Sequence, residues 1–222
     1  MRKFIITILL AIACPSTWAQ VPQVAWDRYS LIIDGHRVVP VMGEIHYSRI
    51  PADEWVLEVR KMKEGGVTMI ATYVFWNHIE EEEGVFNWSG QRDLRRFIEV
   101  CREERLPVVL RIGPFCHGEV RNGGIPDWVF GKGCKTRSQD PAFLSLVERL
   151  YRQIFSQVQG LQWKDGGPLM ACQFDNEYRG SGDYLMALKR IALAAGFDHA
   201  DLIRIFSCGA GSLHGFLHVV GL

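Results

Sequence analysis

The chain alternates between short runs of apolar, β-branched residues and longer segments in which apolar residues recur every three to four positions. The short runs are typical of buried parallel strands, and the longer segments are typical of amphipathic helices. Strands are predicted at 38–43, 67–75, 106–112 and 169–174. Helices are predicted at 53–64, at 91–105, from 140 onward and at 183–195. This order indicates four βα units around a parallel sheet.

Local signals mark the ends of these helices. The glycine pair at 65–66 stops the first helix and Gly196 stops the fourth, because glycine accommodates the backbone of a helix end. Asp140-Pro141 starts the third, with a carboxylate at the N-cap and proline in the first turn. No repeat, low-complexity segment or linker divides the units, so residues 20–222 are predicted to belong to one partial domain.

Composition and charge narrow the class of protein. A chain of 222 residues with 48% hydrophobic content can bury a substantial core. It has 25 basic and 25 acidic residues and no long basic block. Because binding to phosphate backbones needs concentrated positive charge, we expect no nucleic-acid partner.

The first 19 residues have the pattern of a secretory signal peptide. Arg2 and Lys3 precede an apolar run from Phe4 to Ala13, and the segment ends at a small residue, Ala19. The run is too short to span a bilayer. A second interpretation stays open, in which a lipoprotein signal ends before Cys14 and the chain is lipid-anchored there. Both interpretations predict export to the periplasm or the extracellular space.

The other cysteines do not have the spacing of a zinc site or of a CxxC motif. Buried thiols are therefore the favoured interpretation. The cysteines in question are Cys101, Cys116, Cys134, Cys172 and Cys208.

Polar and aromatic residues follow each of the four predicted strands. These segments are Glu44–Tyr47, Tyr73–Asn77, Arg111–Glu119 and Asp175–Tyr178. In a β/α barrel the reactive groups gather at the carboxyl ends of the strands, so these segments are predicted to form the site. Glu177 follows a strand and an asparagine, an arrangement in which a carboxyl group protonates a leaving oxygen while the amide binds a substrate hydroxyl.

Two other groups of polar residues are not expected to bind metal. The acidic run Glu80–Glu83 is interpreted as a solvated turn. His46, His78 and His117 follow different strands and form no HxH or HExxH motif.

In these strand-end motifs the sequence resembles the glycoside hydrolase family 35 β-galactosidases, from about Leu31 to Phe197. The resemblance is carried by Gly43–Tyr47, Thr72–Asn77, Arg111–Cys116, Gly123–Trp128, Gly166–Pro168 and Asn176–Tyr178. Asp175 stands where glutamate is common in the family, and Arg179 stands where glycine usually follows the tyrosine.

This resemblance implies a (β/α)8 barrel that hydrolyses terminal β-galactosides in glycans, with retention of configuration and without a cofactor or metal. It assigns the acid/base role to Glu177. It assigns the galactose-binding positions to Tyr73, Cys116, Glu119 and Asn176, and for Cys116 a packed thiol is an equal alternative.

The second glutamate of a retaining mechanism is not found in this sequence. In the family it comes from a late barrel strand, and residues 203–222 do not resemble the family's continuation. We therefore expect the N-terminal half of a barrel, which by itself does not turn over substrate. An inactive remnant, or a half-barrel that only binds sugar, is the alternative, and a barrel of another glycosidase family is a third interpretation.

Overall fold

The computed structural model of the chain describes residues 23–27, 29–197 and 202–203. The predicted leader at 1–19 with Cys14, and Cys208 with almost all of the segment 203–222, lie outside these residues.

Two sheets and their covering helices form the described part. The antiparallel sheet consists of β1 (Val24–Trp26), β2 (Leu31–Ile33) and β3 (His36–Val38). The parallel sheet has the order β4 (Met42–Glu44), β5 (Met69–Tyr73), β6 (Val108–Arg111), β7 (Leu169–Gln173) and β8 (Leu202–Ile203). The helices are α1 (Trp55–Glu64), α2 (Trp76–Ile79), α3 (Leu94–Glu103), α4 (Asp127–Phe130), α5 (Pro141–Val158) and α6 (Gly182–Ala195). Short 3-10 helices lie at Tyr47–Arg49, Gly90–Arg92, Arg121–Gly124 and Trp163–Asp165.

The parallel sheet in sequence order, with helices between its strands, is the architecture of part of a (β/α)8 barrel, as the sequence predicts. All four predicted βα units are present, and β8 adds a fifth parallel strand beside β7.

The predicted bounds of the first strand, 38–43, are wrong, because they join the end of β3 to the beginning of β4. Pro40 lies between the two and has no N–H to donate to a ladder. The antiparallel sheet was not predicted, although Asp34-Gly35 is a hairpin signal. Both residues have positive φ, 49° and 78°, as the tight turn between β2 and β3 requires.

Helices α3 and α5 each begin directly after an aspartate whose side chain caps the N-terminus. Asp140 accepts a hydrogen bond from the Ala142 N–H at 2.9 Å, which confirms the predicted start of α5. The helix predicted at 91–105 begins later, at Leu94, because Asp93 is its N-cap and accepts from the Arg96 N–H at 2.9 Å. Gly196 ends α6 with φ 116°, as predicted.

The strands of the parallel sheet present alternate residues to opposite faces, except at an irregularity in β7, where the consecutive residues Met170 and Ala171 both join the inner cluster. On the outer face, Ile70, Val108 and Leu110 are fully buried in one cluster with residues of α1, α3, α5 and α6. On the inner face, Met69, Ala71, Val109, Met170 and Ala171 form a second cluster, which Leu31 of the antiparallel sheet covers. Leu31 is 1% exposed, and burying a leucine side chain contributes roughly 2 kcal/mol.

The burial of Glu80 contradicts the interpretation of the acidic run Glu80–Glu83 as a solvated turn. Its side chain is fully buried, while the next three glutamates are exposed. The carboxylate accepts from Trp76 Nε1 at 2.6 Å, from the Gly84 N–H at 2.7 Å and from Arg149 Nη2 at 2.6 Å. It therefore ties the segment after α2 to α5, which is a structural role.

The prediction of buried thiols is confirmed for three of the four cysteines in the described residues. None of the four cysteines in the described residues forms a disulfide, and Cys101, Cys116 and Cys172 are buried whereas Cys134 is half-buried. Burial raises the pKa of the Cys101 thiol to about 12. No helix in the described ranges has the length and apolarity that crossing a membrane requires.

We predict that Asp93→Ala lowers the free energy of unfolding by about 1 kcal/mol, because α3 loses the side-chain acceptor at its N-terminus. Urea denaturation followed by circular dichroism measures the effect. Asp93→Asn keeps the acceptor and should retain most of the stability. A loss in the Asn variant as large as that in the Ala variant would contradict a capping role.

We predict that Glu80→Gln lowers the free energy of unfolding by roughly 2 kcal/mol, since hydrogen bonds to a charged, buried group are lost or weakened. Glu82→Gln is the matched control, because Glu82 is exposed and forms no ion pair with any described residue. Equal stabilities of the two variants in the same urea titration would refute the structural role of Glu80.

Candidate active site

The site lies on the inner face of the parallel sheet, at the carboxyl ends of its strands. Tyr73, Arg111 and Gln173 end three adjacent strands and are paired side by side in register. Each continues the alternation that places Ala71, Val109 and Ala171 in the inner apolar cluster. The inner face is therefore apolar where the antiparallel sheet covers it and polar at the opposite end.

Asn176 follows β7 and is only 5% exposed. Its side-chain oxygen Oδ1 accepts from Tyr73 Oη at 3.0 Å, from Arg111 Nη2 at 2.7 Å and from Gln173 Nε2 at 3.3 Å. The structure thus brings together two of the predicted galactose-binding residues, Tyr73 and Asn176. Burial raises the pKa of the Tyr73 hydroxyl well above its usual range, so Tyr73 is a neutral donor.

Arg111 connects most of these groups. The sequence placed it in a segment predicted to form the site but assigned it no role. Its Nε donates to Gln173 Oε1 at 2.6 Å, its Nη1 donates to Glu44 Oε2, and its guanidinium lies 3.8 Å from the centre of the Tyr73 ring. The sequence contained a signal for this role. An arginine at the end of an apolar strand needs hydrogen-bond acceptors around it, so its position indicates a polar cluster there. Which acceptors they are depends on strands that are distant in sequence.

Asp175 belongs to the loop after β7, and its side chain is buried. Its carboxylate pairs with Arg137 at 2.6 Å and accepts from Tyr184 Oη at 2.8 Å and from the Asn176 N–H at 2.6 Å. Burial raises the pKa of Asp175, and the nearby positive charge of Arg137 opposes this shift. Arg137 Nη2 also donates to the Asn176 carbonyl at 2.6 Å, so one guanidinium holds both the side chain and the backbone of this loop.

Glu177 directly follows Asn176, and its side chain is exposed. Its φ of 48° lies in the left-handed region, as does the φ of 56° at Asp175. Such angles cost energy for residues other than glycine and persist where neighbouring contacts impose them. The ion pair of Asp175 with Arg137 supplies such contacts immediately before Glu177.

Glu119 is also exposed and has a φ of 51°. Its backbone carbonyl accepts from Arg49 Nη2 at 3.4 Å, and its charge acts on His46. Among the described residues, no hydrogen bond joins the side chain of Glu119 or of Glu177 to the network around Asn176. The structure therefore places these two carboxylates outside that network.

Cys116 and His46 pack around Tyr73. Cys116 is fully buried with Tyr73 and Phe75, and its Sγ contacts the Val74 carbonyl at 3.5 Å. The ring centre of His46 lies 5.6 Å from that of Tyr73, and its Nε2 is 3.6 Å from Glu44. The pKa of His46 is lowered, chiefly because burial penalises the charged ring, although Glu44 opposes this effect.

Within the part of the chain that the structure describes, no three His, Cys, Asp or Glu side chains are grouped so that they could hold a metal ion. His78 instead has its Nδ1 2.9 Å from the Ser48 hydroxyl.

Solved structures with a similar fold are glycosidases. The catalytic domain of a mannanase from Streptomyces sp. SirexAA-E matches with a TM-score of 0.52 and 15% identity, over 88% of this chain and 55% of that one. An exo-β-1,4-mannosidase from Opitutaceae bacterium strain TAV5 matches with a TM-score of 0.52 and 18% identity, over 72% of this chain and 30% of the other. At such identities the likeness supports the barrel fold alone.

Sequence comparison is more specific. The chain is 36% identical over 194 residues to a beta-galactosidase of Xanthomonas manihotis, covering 86% of this chain and 32% of the relative. It is 37% identical over 164 residues to a beta-galactosidase of Bos taurus, covering 73% of this chain and 25% of that protein. The chain thus spans about a third or less of these relatives. The model of glycosyl hydrolases family 35 matches residues 30–205, and together with these relatives it shows that the chain belongs to that family.

Proposed function

We propose that these residues form the part of a β-galactosidase site that binds the galactose unit and donates the proton, in a reaction that hydrolyses terminal β-galactosides with retention. Glu177 is the acid/base in this proposal. Its proton passes to the glycosidic oxygen as the bond to the sugar breaks and the anomeric carbon bonds to the family's nucleophilic glutamate. Its carboxylate later takes a proton from the water that displaces this glutamate and releases the sugar. The nucleophilic glutamate of the family is not assigned to any residue here.

One observation carries the proposal, namely the buried hydrogen bonds of Asn176 directly before Glu177. Tyr73, Arg111 and Gln173 all donate to Asn176 Oδ1. An amide that is immobilised in this way binds a hydroxyl beside the reacting carbon at little entropic cost. The relatives named beta-galactosidase support the choice of galactose as the sugar.

The other predicted residues have less direct support. Glu119 is exposed and could accept hydrogen bonds from sugar hydroxyls, and Arg49, which donates to its carbonyl, holds its backbone. The full burial of Cys116 favours the packed-thiol alternative over a direct contact.

A half-barrel that binds galactosides without turnover is the second candidate. The exposure of Glu177 favours it, because a proton donor that works near neutral pH is ordinarily surrounded by partly buried or charged groups. Export, either as a cleaved soluble protein or with a lipid at Cys14, remains part of the proposal on the basis of the leader pattern alone.

We predict that the 222-residue chain binds methyl β-galactoside more tightly than methyl β-glucoside, as measured by NMR titration. Asn176→Asp, which keeps Oδ1 and replaces the NH2 donor by a second oxygen, should weaken galactoside binding by about fivefold or more. Asn87→Asp is the matched control, because Asn87 is exposed and uses only its oxygen, which accepts from Ser89. No galactoside binding by the unmodified chain would contradict the proposal.

We predict that Glu177→Gln lowers kcat/KM by roughly 10²- to 10⁴-fold for alkyl β-galactosides, whose leaving groups need a proton. For a dinitrophenyl β-galactoside, which leaves without protonation, the loss should be much smaller. Turnover is measured with the 222-residue chain and with any extension that the gene encodes after it.

Two outcomes of this assay separate the candidates. Equal losses for both leaving groups would remove Glu177 as the acid. Binding without turnover in both preparations would favour the second candidate.

A further inference from the structure

We infer that Arg111 is a positioning residue, which fixes the side-chain amide of Asn176 so that this amide acts towards a ligand only as a hydrogen-bond donor. The inference deepens the proposed function and rests on it for the identity of the ligand. The orientation itself follows from the contacts of Arg111.

Arginine determines which end of the amide faces inward. A guanidinium has five N–H donors and no acceptor, so the Asn176 atom that lies 2.7 Å from Arg111 Nη2 must be the oxygen. Tyr73 and Gln173 approach the same oxygen as donors, which gives it three hydrogen bonds. Flipping the amide would place its NH2 group against the guanidinium and lose the charge-assisted bond.

The opposite end of the amide is left for a ligand. Among the described residues, none accepts a hydrogen bond from Asn176 Nδ2, and this atom is not one of the fully buried polar atoms without a partner. A sugar hydroxyl that meets it must therefore accept through its oxygen. The proton of that hydroxyl is then free to donate to another acceptor.

Arg111 is itself held in place from three sides. Glu44 and Gln173 accept from Nη1 and Nε, and the Tyr73 ring lies beneath the guanidinium. The side chain of Arg111 is only 16% exposed, and its carboxylate partner keeps a buried charge from standing alone. All three guanidinium nitrogens thus have acceptors, and the planar fork has one available orientation.

The first experiment measures the orientation without any sugar. In ¹⁵N relaxation of side-chain amides, the Asn176 NH2 group of the unmodified chain should be as ordered as the backbone, and its signals are identified by their absence in Asn176→Asp. In Arg111→Met the order parameter should fall from about 0.85 towards 0.6 or less. Tyr73→Phe removes one donor but keeps the ring, and should cause a smaller fall.

Two further variants make this experiment specific. Arg121→Met is the matched control, because Arg121 pairs with Asp127 at 2.9 Å on the surface and does not contact Asn176. Arg111→Lys keeps the charge but replaces the planar guanidinium by an ammonium group without its fixed fork of donors, and should give an intermediate value. An Asn176 amide as ordered in Arg111→Met as in the unmodified chain would overturn the inference, as would an equal fall in Arg121→Met.

The second experiment adds the sugar. The unmodified chain should bind methyl β-galactoside about fivefold more tightly than its 2-deoxy analogue, and in Arg111→Met this ratio should approach one. A purely structural role of Arg111 would weaken binding of both sugars equally and would overturn the inference. An ordered amide in a chain that binds neither sugar would instead contradict the proposed function and leave the orientation established.

Discussion

Side chains on a β-strand alternate between its two faces, and the rest of this structure depends on that constraint. In the parallel sheet the outer face carries Ile70, Val108 and Leu110, which pack against the helices that cover it. The inner face changes character along each strand. Ala71 and Val109 lie beneath the antiparallel sheet, whereas Tyr73 and Arg111, two residues further along the same strands, carry polar groups. One alternation thus supplies both a core and a site.

Polar groups on the inner face are partly or fully buried, so each needs a partner. The structure meets this need across strands rather than along them. Arg111 of β6 takes its acceptors from β4, β7 and the loop after β7. This dependence makes the network a property of the sheet, because the donors that orient Asn176 lie on three different strands.

The loop that carries Asn176 and Glu177 shows a second use of buried charge. Asp175 has lost most of its water, and Arg137 compensates with a salt bridge and a bond to the Asn176 carbonyl. Two residues with positive φ flank Asn176, and the ion pair stabilises that conformation. Glu80 and Arg149 use the same kind of contact elsewhere, to join the segment after α2 to α5.

The sequence was enough to predict four βα units, apart from the bounds of the first strand, because apolar periodicity and caps such as Asp140 are local signals. It also determined that polar residues follow the strands, and the order of these motifs indicated the family that the comparisons show. The folded chain was needed to show that β1–β3 cover the inner face of the parallel sheet, that the buried Glu80 pairs with Arg149, and that Arg111 joins Glu44 to Asn176. Each of these depends on partners that are distant in sequence, and a residue's own neighbours carry no information about which buried group will need its charge.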